Sequence, residues 1–256
     1  MTDSWAALRA EVLACRACPR LVAYREQVAR TRKREFRQEE YWGRPVFGFG
    51  DPQARLVLVG LAPAAHGSNR TGRMFTGDRS ARFLVEALHA AGYANQPTSQ
   101  HRGDGLRYTD LYMTAAVRCV PPDNRPTGEE RHRCLPFLVR ELCALGKARA
   151  VLALGGVAWE ALLASTRAVY GVEPPAVPFG HGACVALGPG RPLLWASYHP
   201  SPQNTNTGKL TRAEMVELLE RIRAGYLGRS APDAGRASVR GGGRTVIPSA
   251  SSRPHP

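Results

Sequence analysis

Four short apolar runs constrain this chain more than any other feature: ARLVLVG (54–60), LYMTAAV (111–117), RAVLALG (149–155) and PLLWASY (192–198). Each has the length of a strand and lacks polar alternation, the pattern of a strand covered on both faces. Between or after them lie stretches with helical spacing: SARFLVEALHAAG (80–92), EERHRCLPFLVRELCAL (129–145) and GVAWEALLAS (156–165). Strands alternating with helices predict an α/β layer with a mostly parallel sheet. Pro136 is expected to bend or divide the second helix. A first helix is predicted over 4–14, with Ser4 as N-cap and Trp5, Leu8 and Val12 on one face. A last one opens at Thr211 with Glu214 three residues on, a capping box. Residues 25–40 are dense in charge and read as a solvated segment.

At 256 residues, the chain suits one substantial domain, or at most two small ones. We assign residues 1–228 to the α/β domain and 229–256 to a disordered basic tail, since the latter is Gly, Ser, Pro and Arg with almost nothing to bury. The net charge is +14, and the tail supplies only five arginines against one aspartate, so the domain itself is basic. Such an excess favours a polyanionic partner. No apolar run approaches the roughly 20 residues that span a bilayer. The amino-terminal stretch lacks the order of a signal peptide, so a cytoplasmic protein, with no membrane partner, is expected.

The long irregular loops all follow strands. GLAPAAHGSNRTGRMFTGDRS follows the first, RCVPPDNRPTG the second and HPSPQNTNTG the last. In an open parallel sheet, such loops meet at the ligand crevice. They offer His66, Phe75, Asp78, Asn124, His199 and several amides, but no phosphate loop, no dinucleotide fingerprint and no hydrolase elbow. An aromatic ring, an amide, a histidine and one acid in a basic protein suit stacking on a planar heterocycle. Each also has a plainer reading: Phe75 as core, Asp78 as a helix N-cap, His199 bonded to a carbonyl.

Cys15 and Cys18 form a C-x2-C pair, and Cys119 and Cys134 are fourteen residues apart in between. The spacing leaves an iron–sulfur cluster, zinc and unliganded thiols all open. Cys143 and Cys184 read as buried free thiols.

With the three loop motifs GLAPAAHGSNRTGRMFTGDRS, VRCVPPDNRPT and SYHPSPQNTNTGKLT and these four cysteines, the sequence resembles the family 5 uracil-DNA glycosylases, the type B enzymes of bacteria and archaea, over roughly residues 5–225. The resemblance implies a single domain with a central four-stranded parallel sheet flanked by helices. It also implies an amino-terminal region bearing a 4Fe-4S cluster held by Cys15, Cys18, Cys119 and Cys134. Related glycosylases carry a polar residue early in the first motif, where this chain has Leu61 and Ala64; the family's catalytic carboxylate maps to Asp78. Ala115 stands where type A enzymes have asparagine, which agrees with a base range that adds hypoxanthine, xanthine and ethenocytosine to uracil.

The expectation is therefore a DNA repair enzyme that flips a base and hydrolyses its N-glycosidic bond, acting as a monomer at the nucleoid. His199 would bond the departing base and Asp78 the sugar cation or a water. Phe75 would stack, Asn124 and the amides of Ala62, Ala64 and Ala65 would bond the base edge, and Asn206 would help fill the vacated space. The chief rival is a non-catalytic iron–sulfur module that binds DNA; a zinc-stabilised enzyme acting on nucleosides is a third reading.

Overall fold

The computed structural model describes residues 4–174 and 176–226, so the expectation for the tail, 229–256, lies outside the described residues. The four predicted strands all form: β2 (Leu56–Gly60), β3 (Leu111–Ala115), β4 (Ala150–Leu154) and β6 (Leu193–Ser197). They run parallel, in the order β3-β2-β4-β6, and nearly every residue in them is buried. The sheet nevertheless has six strands, not four. The short β1 (Phe49–Gly50) and β5 (Cys184–Ala186) add antiparallel to its two edges, at β3 and β6. Two and three residues are too few to leave a periodic signal in the sequence.

Alternate residues face opposite sides, which divides the core into two layers. Leu56 and Leu58 of β2 pack with Leu84 and Leu88 of α4 (Arg79–Ala90) and with Met215 and Leu219 of α8 (Arg212–Tyr226). Val57 and Val59 face Leu138 and Leu142 of α5 (Gly128–Ala144) and Leu162 of α6 (Gly156–Tyr170). Each such leucine contributes about 1.5–3 kcal/mol by leaving water, so the two layers together fix the sheet. Pro136 sits inside α5 without dividing it. Burial of Leu138 and Leu142 on one side, and the Thr127–Glu130 capping box at its start, hold the helix through the missing N–H.

α1 (Trp5–Ala14) is capped by Ser4, whose hydroxyl accepts from the Ala7 N–H at 3.1 Å, and it buries Leu8 and Val12. The charged stretch, 25–40, is solvated over 31–40, where only Phe36 is half-buried, as expected. Its start belongs to α2 (Pro19–Thr31), which buries Leu21, Val22, Arg25 and Val28 against the domain. Cys143 and Cys184 are both exposed, contrary to expectation: Cys143 faces outward on α5, and Cys184 lies on the edge strand β5. Among the described residues, no helix is long and apolar enough to cross a membrane.

A buried polar cluster ties the layers together. Arg118, just past β3, pairs with Glu141 of α5, and Glu141 also accepts from Thr114 and from the Tyr112 hydroxyl. The order of the sheet reverses at β2, with β3 on one side and β4 then β6 on the other. The loops after β2, β3 and β6 therefore meet beyond one carboxyl edge.

Candidate active site

Beyond that edge lies a cleft of about 630 Å³. Ala62, Ala64, Phe75, Asp78, Asn124 and His199 all line it, so three loops 137 positions apart at their extremes, Ala62 to His199, share one space. Ala115, closing β3, forms part of its floor. Ala65 lies instead on an adjoining groove. Asn206 lines neither: it ends the single turn of α7 (Pro202–Asn206), whose first three residues line the cleft, and it is exposed.

Asp78 is the helix N-cap that the sequence allowed, and it also lines the cleft. Its Oδ1 accepts from the Ala81 N–H at 2.9 Å and caps α4, while the carboxylate faces the cleft. Gly67 lies against it so closely that an added Cβ would come within 1.9 Å of Oδ2. Burial pushes the Asp78 carboxyl above its ordinary pKa, opposed by the Ala81 and Ser80 N–H groups and by the Arg70 cation. Arg70 is itself buried, donating to the carbonyls of His66 (2.8 Å) and Gly77 (3.1 Å) and pairing with Glu39.

Phe75 has φ of 44°, a left-handed backbone unusual for a bulky residue and costing roughly 1–3 kcal/mol. Two things hold it there. Its ring rests on Gly60, where a Cβ would come within 2.9 Å of Cε2 and Cζ. Its carbonyl accepts from Ser99 Oγ at 2.9 Å. Ser99 in turn belongs to a buried network around Arg73, which bonds Ser99 Oγ (3.0 Å), Thr76 Oγ1 (2.8 Å) and both oxygens of Asp104 (2.8 and 2.7 Å). Sequence reading missed Ser99 and Asp104, because Asp104 meets Arg73 only across 31 positions and carries no local motif.

His199 follows β6 and packs on Gly155, whose added Cβ would lie 3.2 Å from the His199 Cβ. Asn204 Nδ2 donates to the His199 carbonyl at 2.8 Å. Burial pushes the imidazole pKa down to about 4, so at neutral pH the ring is uncharged and donates through one N–H. The rings of Phe75 and His199 are 6.3 Å apart, inclined by 31°, as neighbouring walls of the cleft. Asp123 and Asn124 both have positive φ, 53° and 56°, in the short turn Pro122–Asn124 after β3. That turn is tied to α2: Arg20 donates to the Arg125 carbonyl at 3.1 Å and grips Glu130 with two bonds of 2.8 and 2.7 Å.

Cys15, Cys18, Cys119 and Cys134 come together around one small, mostly apolar cavity between α2, α5 and the end of β3. Arg25 reaches into it and donates to Cys119 Sγ at 2.9 Å and to the Cys15 carbonyl. Burial pushes the Cys119 thiol up to about 11 and the Cys134 thiol to about 12. Four soft donors and a buried cation fit an anionic metal–thiolate group in their chemistry. Among the described residues, however, no three His, Cys, Asp or Glu side chains close on one point as ligands. The cysteines wall the cavity without forming a finished ligand set.

A parallel α/β sheet with this cleft defines a class, and residues 47–223 match the family model described as the uracil DNA glycosylase superfamily. The type-5 uracil-DNA glycosylase of Thermus thermophilus is 56% identical over 206 residues, covering 80% of this chain and 91% of that protein. That of Pyrobaculum aerophilum is 50% identical over 210 residues, 82% of this chain and 88% of the other. A type-4 uracil-DNA glycosylase of the same organism is 34% identical over 125 residues, 48% and 56% of the two chains. The chain belongs to the uracil-DNA glycosylase superfamily and, within it, to the type-5 family.

Proposed function

We propose that this protein is a monofunctional DNA glycosylase that releases uracil and leaves an abasic site. The observation that carries this reading is the meeting of a neutral, half-buried imidazole, a carboxylate and a phenyl ring in one cleft of a basic protein. The type-5 relatives, by their names, are uracil-DNA glycosylases.

The base, rotated out of the stack at a cost of a few kcal/mol, would lie against Phe75. As the bond between the sugar and the base nitrogen breaks, the electron pair moves onto the base and positive charge grows on the sugar. A neutral His199 N–H donates to the base oxygen that gains charge, a contact worth about 3–4 kcal/mol in the transition state. Asp78 faces the sugar cation or orients the water that adds to it; the water oxygen bonds to the sugar carbon and its proton neutralises the base. Among the described residues no lysine lines the cleft, which supports hydrolysis without a Schiff-base step.

Ala115 on the floor and the exposed turn at Asn124 leave few fixed partners for a base edge, which supports a range extending to hypoxanthine, xanthine and ethenocytosine. The four cysteines would hold a 4Fe-4S cluster, which when bound would brace α2 against the end of β3. DNA is the partner, the protein acts as a monomer, and its place is the cytoplasm at the nucleoid.

The test is release of base from oligonucleotides carrying uracil or one of the other lesions, each scored after alkaline strand cleavage. Uracil release by the intact protein supports the proposal. Tight binding with no release of any base overturns it in favour of the non-catalytic module.

A further inference from the structure

A second concavity, about 840 Å³, adjoins the cleft and shares Ala64, Asp78, Arg79 and Asn124 with it. Apart from the shared Asp78 and Asn124, the proposed base-release chemistry does not use it. Its acids are already engaged: Asp78 caps α4, Glu39 pairs with Arg70, and Glu35 with Lys33 at 2.8 Å. Arg79 and Arg82 also line it, exposed and three residues apart on the first turns of α4; among the described residues neither meets a carboxylate. Residues three apart on a helix are neighbours, so two cations stand side by side with no protein counter-ion.

His66 supplies a directed donor to the same groove. The Tyr41 hydroxyl accepts from the Lys33 N–H at 3.3 Å and lies 3.1 Å from His66 Nδ1. In the tautomer whose Nδ1 accepts the phenol proton, the ring carries its N–H at Nε2. The remaining N–H belongs to a ring that lines the groove. Two unpaired guanidinium groups and one oriented neutral donor form a combination suited to phosphodiester oxygens.

We propose that this groove binds the phosphodiester backbone of the strand flanking the extruded nucleotide, with Arg79 and Arg82 contacting one phosphate each and His66 donating a hydrogen bond to a phosphate oxygen. This rests on the reading that the neighbouring cleft receives a base.

The experiment measures affinity for a duplex holding an abasic-site analogue, which no glycosylase can turn over, across a range of salt concentrations. The double variant Arg79→Gln with Arg82→Gln should lower the slope of log affinity against log salt by about 1.8, from roughly 0.9 per phosphate contact. A control pair, Lys147→Gln with Arg149→Gln, removes the same charge from exposed sites at the opposite edge of the sheet, beside the start of β4. It should leave the slope as in the wild type. His66→Ala should weaken binding about three- to tenfold with the slope unchanged, since a neutral donor releases no counter-ion.

A wild-type slope in the Arg79/Arg82 variant, or an equal fall in both pairs, overturns the proposal. Unchanged affinity in His66→Ala removes His66 from the groove. If the wild type releases no uracil while the slope still falls only in the first pair, the glycosylase reading fails and the backbone groove stands.

Discussion

Gly67 and Asp78 fit together so tightly that a single methyl group on the glycine would come within 1.9 Å of Oδ2 of the aspartate. The carboxylate is held from two sides, by that close backbone and by the Ala81 N–H that it caps. Gly67→Ala should therefore displace the carboxylate while leaving the sheet untouched. Excision is expected to fall at least about a hundredfold with DNA affinity retained. Unaltered single-turnover excision would show that the position of Asp78 is unimportant.

Two substitutions separate the structural from the chemical role of Asp78. Asparagine caps a helix about as well as aspartate, whereas alanine costs about 1 kcal/mol. Asp78→Asn should keep the wild-type Tm but lose excision, and Asp78→Ala should lose both. An active Asp78→Asn enzyme would reduce the residue to a cap.

The pH profile follows from the two buried groups. On the proposed mechanism, excision needs Asp78 ionised and His199 neutral. Asp78 is raised by burial, so its protonation sets an acid limb above the usual carboxylate range. His199 charges only near pH 4, so the ring adds no limb in the ordinary imidazole range. The rate should rise with pH through the Asp78 limb and stay flat through neutrality. A limb near pH 6.5 that disappears in His199→Gln would refute this.

Asp104 anchors the loop that carries Phe75. Burial alone would raise its pKa, but hydrogen bonds from Arg73 and from the Gln100 and Leu106 N–H groups outweigh that and hold it well below the carboxylate range. A depressed folded-state pKa means that its stabilisation is present at neutral pH and is lost as pH falls through that low value. Asp104→Asn would leave Arg73 buried without its charge partner, a loss of about 3–5 kcal/mol. Denaturant melts should show it, and base stacking should weaken because Ser99 no longer holds the Phe75 carbonyl. A variant as stable and as active as the wild type would contradict the network's role.

Iron and acid-labile sulfide in anaerobically purified protein test the four cysteines. Four irons per chain, a visible absorption bleached by reductant, and loss of both in Cys119→Ser are expected. Stoichiometric zinc, or metal-free thiols that all react with a thiol reagent, would rule the cluster out.

The parallel strands were legible because burial on both faces leaves unbroken apolar runs such as LVLVG and AVLAL. Ser4 and Thr211 announced their helices, since capping chemistry is local. The cleft was legible in part: Asp78, Phe75 and His199 sit in distinctive loops, and all three reach it. What stayed hidden depends on distant partners. Asp104 acquires meaning only beside Arg73, and α2 buries its face against a domain that a charge-rich sequence gives no sign of. The exposure of Cys143 and Cys184 likewise follows from which face of α5 and which edge of the sheet they occupy.

The two edge strands have a consequence for how the protein behaves in a crowded solution. A sheet ending at β3 and β6 would present five-residue rows of free amides and carbonyls to any extended chain. With β1 and β5 in place, two residues of β3 and three of β6 are paired, and the outermost strands are two and three residues long. Templates that short are poor seeds for intermolecular strand addition. The sheet therefore offers little unpaired backbone on which neighbouring molecules could build.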